Sequence, residues 1–171
     1  MILTTERLQI RPVEAEDWRA IQEIWIDFSR SEYAGYDRHG STEDEAVRRR
    51  IEQWTRADGI TEMFLAVCLD GTLIGYVSLH GDGQTYEMGY CYHSRYHRQG
   101  YARESIAAVM QELGLRGADR ILAGTAVANT PSVRLLASLG FTRIGTQRVS
   151  FYKDMNGNDI FFEGGVYEKL L

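Results

Sequence analysis

The stretch that most constrains this chain runs from Tyr86 to Leu115. Tyr86-Glu87-Met88-Gly89-Tyr90-Cys91-Tyr92 is rich in aromatic residues and reads as a strand. Arg103 to Leu115 carries Ile106, Val109, Met110 and Leu113 at three- and four-residue spacing, the pattern of a helix with one apolar face. Between them lie a polar turn, His93-Ser94-Arg95-Tyr96, and the segment His97-Arg98-Gln99-Gly100-Tyr101-Ala102. A helix entry leaves its first backbone N–H groups unpaired at the positive end of the helix dipole, and a glycine beside it lets another group approach the backbone. Such an entry can seat a phosphate. No Gly-Lys-Ser/Thr ending is present, which excludes a Walker loop, and Gly100 alone cannot supply the three glycines of a dinucleotide fingerprint.

What remains is a strand, a basic turn and a helix entry with Gly100 and Ala102 two residues apart. This resembles the Q/R-x-x-G-x-G/A loop that holds the pyrophosphate of coenzyme A in the GNAT acetyltransferase superfamily, with His97 where Gln or Arg is usual. Downstream, Asn129-Thr130-Pro131-Ser132 leading to Leu139-Gly140-Phe141 is similar to the N-x-x-S … L-G-F helix after that superfamily's fifth strand. At the start, Thr5-Glu6-Arg7-Leu8 with Arg11-Pro12 resembles the T-E-R-L-x-x-R-P opening of the RimJ/RimL-type branch, whose members acetylate amines and include ribosomal-protein N-terminal acetyltransferases. The resemblance implies a mixed α/β (α+β) GNAT acyltransferase fold: a mostly antiparallel seven-stranded sheet with flanking helices, its parallel fourth and fifth strands splayed apart. It implies acetyl-coenzyme A as cosubstrate, with the pantetheine arm lying in the splay like an extra strand, and no metal. The coenzyme seat it implies is built from Cys91, Tyr92, His93, Arg98, Gln99, Gly100, Tyr101, Ala102, Arg103 and Asn129.

Length and charge narrow the setting. With 171 residues, 44% apolar and 25% charged, the chain is expected to form a single globular domain over 1–171. A net charge of -5 disfavours nonspecific nucleic-acid binding, which needs a basic face, and suits amine-bearing substrates. No apolar signal core or membrane-length run is seen, so a cytoplasmic protein without a membrane partner is expected, as monomer or homodimer. Cys68 and Cys91 fall in apolar strand-like runs and read as buried reduced thiols.

In order along the chain, Leu8 to Pro12 reads as a strand, and Asp17 to Ile26 as a helix with Trp18, Ile21, Ile24 and Trp25 inward. Phe28 to Gly40, including His39, reads as a loop. Ser41 is expected to cap a second helix bearing Val47, Ile51 and Trp54. On that helix Arg48-Arg49-Arg50 sits among Glu43, Asp44, Glu45 and Glu52, the pattern of a solvated face with four-apart charge pairs. Met63 to Leu69 and Leu73 to Leu79 form a hairpin across Asp70-Gly71, and Gly81 to Gln84 turns into Tyr86 to Tyr92. Arg120 to Val127 reads as a strand parallel to that one, followed by a helix capped by Thr130 and closed by Gly140. Thr142 to Tyr152 and Asp159 to Tyr167 make a closing hairpin across Asn156-Gly157.

Acetyl transfer from a thioester to an amine needs alignment, a base for the ammonium proton and donors for the developing oxyanion. Glu87 is the expected base, since the resemblance places a glutamate in this strand near the splay. For the departing thiolate the superfamily often has a tyrosine seven residues after the asparagine, where Leu136 stands here; Ser132 matches the serine of the RimJ/RimL-type branch. Tyr33 and Tyr36 from the early loop, with Phe151 and Tyr152 from the closing hairpin, are expected to border the acceptor pocket. His93 and His97 straddle a turn with no third ligand near in sequence, a poor metal pattern. The expected activity is transfer of acetyl to a primary amine, on a protein N-terminus or a small molecule. The alternative is a non-catalytic acyl-coenzyme A sensor with the same fold.

Overall fold

The computed structural model describes every residue except His39. Its elements are β1 (Leu3–Thr4), β2 (Leu8–Pro12), α1 (Trp18–Ser29), α2 (Asp44–Trp54), β3 (Glu62–Leu69), β4 (Thr72–Gly81), β5 (Thr85–Tyr92), α3 (Tyr101–Leu115), β6 (Arg120–Ala126), α4 (Thr130–Ser138), β7 (Thr142–Lys153) and β8 (Asp159–Leu170). One eight-stranded sheet runs in the order β1-β2-β3-β4-β5-β6-β8-β7. Every adjacent pair is antiparallel except β5 and β6, which are parallel across the α3 crossover. The strand beyond the expected seven is β1, which pairs Leu3 with Ile10 and Thr4 with Gln9. Two residues are too short to show an alternating pattern.

Each sheet face has its own apolar layer. Ile106, Val109, Met110 and Leu113 of α3 and Leu136 of α4 pack with Leu65, Val77, Leu79, Met88 and Ile121 on one face. Ile21 of α1 and Val47 and Ile51 of α2 pack with Ala66 and Cys68 on the other, bordered by Trp18, Trp25, Trp54 and Tyr76. Strand alternation sends successive side chains to these two layers. A bidentate pair from Arg11 in β2 to the buried Asp17, at 2.7 and 2.8 Å, fixes where α1 begins.

Several local expectations shift. The Asp70-Gly71 turn forms with both residues at positive φ, +47° and +80°, the geometry that suits the twist of the flanking strands. β4 extends through Gly81, leaving Asp82 to organise the next turn by accepting the N–H groups of Gln84 and Thr85. Asn129, not Thr130, caps α4: its Oδ1 accepts the Ser132 N–H at 3.3 Å. Glu43 occupies the cap position of α2, while the Ser41 hydroxyl accepts the Glu43 N–H. The arginines of α2 form no four-apart ion pairs among the described residues. Arg48 lies 4.2 Å from the Trp18 ring centroid and Arg50 5.6 Å from that of Trp25, because half-buried indole rims offer more than an exposed pair worth about 0.3–0.5 kcal/mol. His39 of the expected loop lies outside the described residues, and the loop around it contains a 3₁₀ turn at Ala34–Tyr36. No helix among the described residues is long and apolar enough to cross a membrane.

Candidate functional site

β5 and β6 pair only from Thr85 with Arg120 to Met88 with Ala123. Beyond that rung β5 continues to Tyr92 on β4, and β6 continues to Ala126 on β8. Gly89–Tyr92 and Gly124–Ala126 therefore diverge, each held by its outer neighbour, with their facing edges unpaired with each other. An exposed strand edge is a template for another extended, amide-bearing chain.

The open end of this gap leads to the loop that enters α3. A 3₁₀ turn, Ser94–Tyr96, is pinned to α1 by Asp27, whose carboxylate accepts the Ser94 N–H and Oγ–H, both at 2.7 Å. The His97 ring bonds the Tyr92 carbonyl through Nε2 at 2.8 Å, so the residue that departs from the usual Gln or Arg braces the end of β5. Arg98 and Gly100 both take left-handed backbone, φ +59° and +85°. α3 then starts at Tyr101, two residues earlier than the apolar period suggests, and its first satisfied amide is Glu104 N–H, bonded to the Gly100 carbonyl at 3.0 Å. Among the described residues the N–H groups of Tyr101, Ala102 and Arg103 thus form an unpaired helix entry, and the exposed Arg103 turns its Nε to the Ser138 carbonyl at 3.5 Å.

On the α3/α4 face, the Tyr90 hydroxyl and Ser132 Oγ are 2.7 Å apart. This bond ties β5 to the helix that follows β6, bridging the diverging strands. Burial pushes the Tyr90 phenol up to about 12, its bond to Ser132 pulling the other way. Either hydroxyl can be the donor in this bond. Tyr90 went unmarked in the sequence because it shares its alternation with Tyr86, Met88 and Tyr92 and reads as core.

On the α1/α2 face two of the four aromatics expected at the acceptor pocket, Tyr36 and Phe151, pack against a ring that had no sequence signal, Phe162. Tyr36 packs against it at 5.2 Å between ring centroids and Phe151 at 5.5 Å; Tyr33 lies 6.5 Å from Tyr36. The Tyr152 hydroxyl donates to the Asp37 carbonyl at 2.8 Å, fastening the hairpin to the early loop. Next to this cluster Trp25 Nε1 donates to the Tyr76 hydroxyl at 2.9 Å, and Tyr76 is paired with Cys91 across β4 and β5. Burial pushes the Cys91 thiol up to about 12, so it is an inert thiol on the α1/α2 face.

Glu87 lies on the same face, exposed, opposite His80 on β4 and Leu122 on β6. It sits on the last rung but one before the strands part. Tyr92 differs from expectation: its ring is buried and its hydroxyl bonds Ser105 Oγ at 2.7 Å, so only its backbone borders the gap. His93 likewise turns its Nδ1 to the Arg95 N–H at 3.2 Å, 3.9 Å from Asp27.

The sequence profile of the acetyltransferase (GNAT) domain matches residues 7–142. The chain belongs to the GNAT acetyltransferase family. It is 29% identical over 152 residues to YnaD of Bacillus subtilis (strain 168), an uncharacterized N-acetyltransferase, covering 85% of each chain. Among solved structures it resembles a GNAT-family acetyltransferase from Bacillus anthracis, with a TM-score of 0.79, 28% identity, and 99% and 98% of the two chains covered. It also shares the fold of RimL, a ribosomal alpha-N-protein acetyltransferase solved in complex with coenzyme A, with a TM-score of 0.82 and 15% identity over 100% and 98% of the two chains.

Proposed function

We propose that this protein transfers the acetyl group of acetyl-coenzyme A to a primary amine, of a protein N-terminus or a small molecule, by direct attack. The observation that carries the reading is the opening of the β5–β6 ladder after Met88 and Ala123, immediately upstream of the unpaired N–H groups at the start of α3. The pyrophosphate would rest on the loop from Arg98 to Arg103, and the pantetheine amides would pair with the free edge of Gly89–Tyr92 and with Asn129. The thioester would then lie where the strands part. The amine would approach from the α1/α2 face, between the Phe162 cluster and Glu87, which takes its proton directly or through one water. On the opposite face Ser132, with Tyr90 as the donor in their bond, would present its own hydrogen to the departing thiolate. The complex of RimL with coenzyme A supports the choice of coenzyme.

Two measurements test this. Millimolar acetyl-coenzyme A should raise the melting temperature, since a ligand that binds only the folded state stabilises it by mass action. Thiol release from acetyl-coenzyme A, followed against a panel of peptides and small amines, should find an acceptor. An unchanged melt would sink the reading, whereas binding without turnover on any amine would favour an acyl-coenzyme A sensor. Tyr90→Phe removes one neutral hydrogen bond from Ser132, so kcat should fall by about 2- to 10-fold while the dissociation constant for acetyl-coenzyme A is unchanged. An unaltered kcat would remove the pair from the reaction.

A further inference from the structure

We propose that Arg7, ninety-odd positions upstream in sequence, is the positioning residue that aims the Gly100 N–H of the phosphate loop at its ligand; the inference rests on the coenzyme A reading above. Arg7 Nη1 donates to the Gln99 carbonyl at 3.0 Å. That oxygen belongs to the same peptide unit as the Gly100 N–H, and in a trans peptide the two point in opposite directions. Holding the oxygen on the Arg7 side therefore turns the N–H to the other side. Among the described residues this N–H has no protein acceptor. It lies between the left-handed Arg98 and Gly100, a backbone that persists only where its surroundings fix it.

The guanidinium is itself held from several directions. Its Nε and Nη2 grip Glu104 Oε2 at 2.7 and 2.6 Å, one turn into α3, and its carbon lies 4.5 Å above the Tyr101 ring centroid. Glu104 Oε1 accepts the Thr5 hydroxyl at 2.6 Å and the Arg7 N–H at 3.0 Å, so the segment before β2 is bound to the same carboxylate. A Cβ on Gly100 would come within 3.2 Å of Nη2. Arg7 thus joins the N-terminal segment, the loop peptide and the first turn of α3 at one point. A lysine could supply the charge but not the fork that reaches both a carbonyl and a carboxylate.

The test compares two acetyl donors. Arg7→Ala should raise the dissociation constant and KM for acetyl-coenzyme A by about 10- to 100-fold, as expected for losing a charge-assisted bond that orients a phosphate donor. S-acetylpantetheine, which has no pyrophosphate, should be used with kcat/KM unchanged within about 2-fold, and the ligand-free melt should move by only a few degrees because the pair is partly exposed. Arg7→Lys should retain most of the defect, and Glu104→Gln should reproduce it in milder form. Wild-type affinity for acetyl-coenzyme A in Arg7→Ala would overturn the proposal, as would an equal loss with both donors, which marks a general structural role. A parent protein that does not bind acetyl-coenzyme A would instead bring down the coenzyme reading itself, and this inference with it.

Discussion

Gly100→Val is expected to abolish the stabilisation of the fold by acetyl-coenzyme A and to raise its dissociation constant more than about 100-fold, the loss of two or more charge-assisted bonds. Gly100 sits at φ +85°, where an L-residue pays about 1–2 kcal/mol and a β-branched one is a clear outlier. Its new Cβ would also press on Arg7 Nη2, 3.2 Å away, a group already fixed by Glu104 and Gln99. The backbone would have to swing out of the left-handed region, and the N–H groups of Gly100 to Arg103 would turn with it. Because Gly100 is exposed at a helix entry rather than in the core, the ligand-free protein should remain folded. Calorimetric titration on a variant with native circular dichroism decides the matter: ordinary affinity would take this loop out of the site.

Glu87→Gln should lower kcat/KM at pH 7 by about 10²- to 10⁴-fold, the usual worth of a general base, with acetyl-coenzyme A affinity unchanged. At neutral pH an amine arrives mainly as the ammonium and must lose a proton before it can attack. Glu87 is an exposed carboxylate on the α1/α2 face, one rung from the opening, so the substitution keeps its shape while removing its basicity. Raising the pH delivers more of the acceptor already deprotonated, so the gap between variant and parent should narrow as pH rises toward the amine pKa. A rate equal to the parent at pH 7 would return Glu87 to the role of a strand glutamate and send the proton through water or another carboxylate.

The outcomes divide along the range of the forces involved. The Asp70-Gly71 turn, the apolar stripe of α3, the glycine at its entry and the closure of α4 at Gly140 are all legible in the sequence, because each is set by backbone preference or periodicity within a few residues. The same holds for the parallel course of β5 and β6, which a strand–helix–strand order with right-handed crossover nearly dictates. Boundaries moved where a side chain took over a backbone group, as when Asn129 rather than Thr130 accepted the first free amide of α4.

What tertiary structure alone decided are the contacts that make these elements a site. The bond between Tyr90 and Ser132 spans 42 positions and that between Tyr152 and Asp37 spans 115, and neither residue type announces such a partner. Phe162 meets Tyr36 and Phe151 only because β8 inserts between β6 and β7 and carries it beyond the end of β6. The T-E-R-L opening was visible as a motif, yet the attachment of Arg7 to the Gln99–Gly100 peptide was not, since the two meet only when α3 packs over the sheet and brings its first turn to the segment before β2. Local sequence set each element's conformation through short-range sterics and hydrogen bonding. The pairing of distant groups depended on which strands became neighbours, a choice made by burying both faces of the sheet at once.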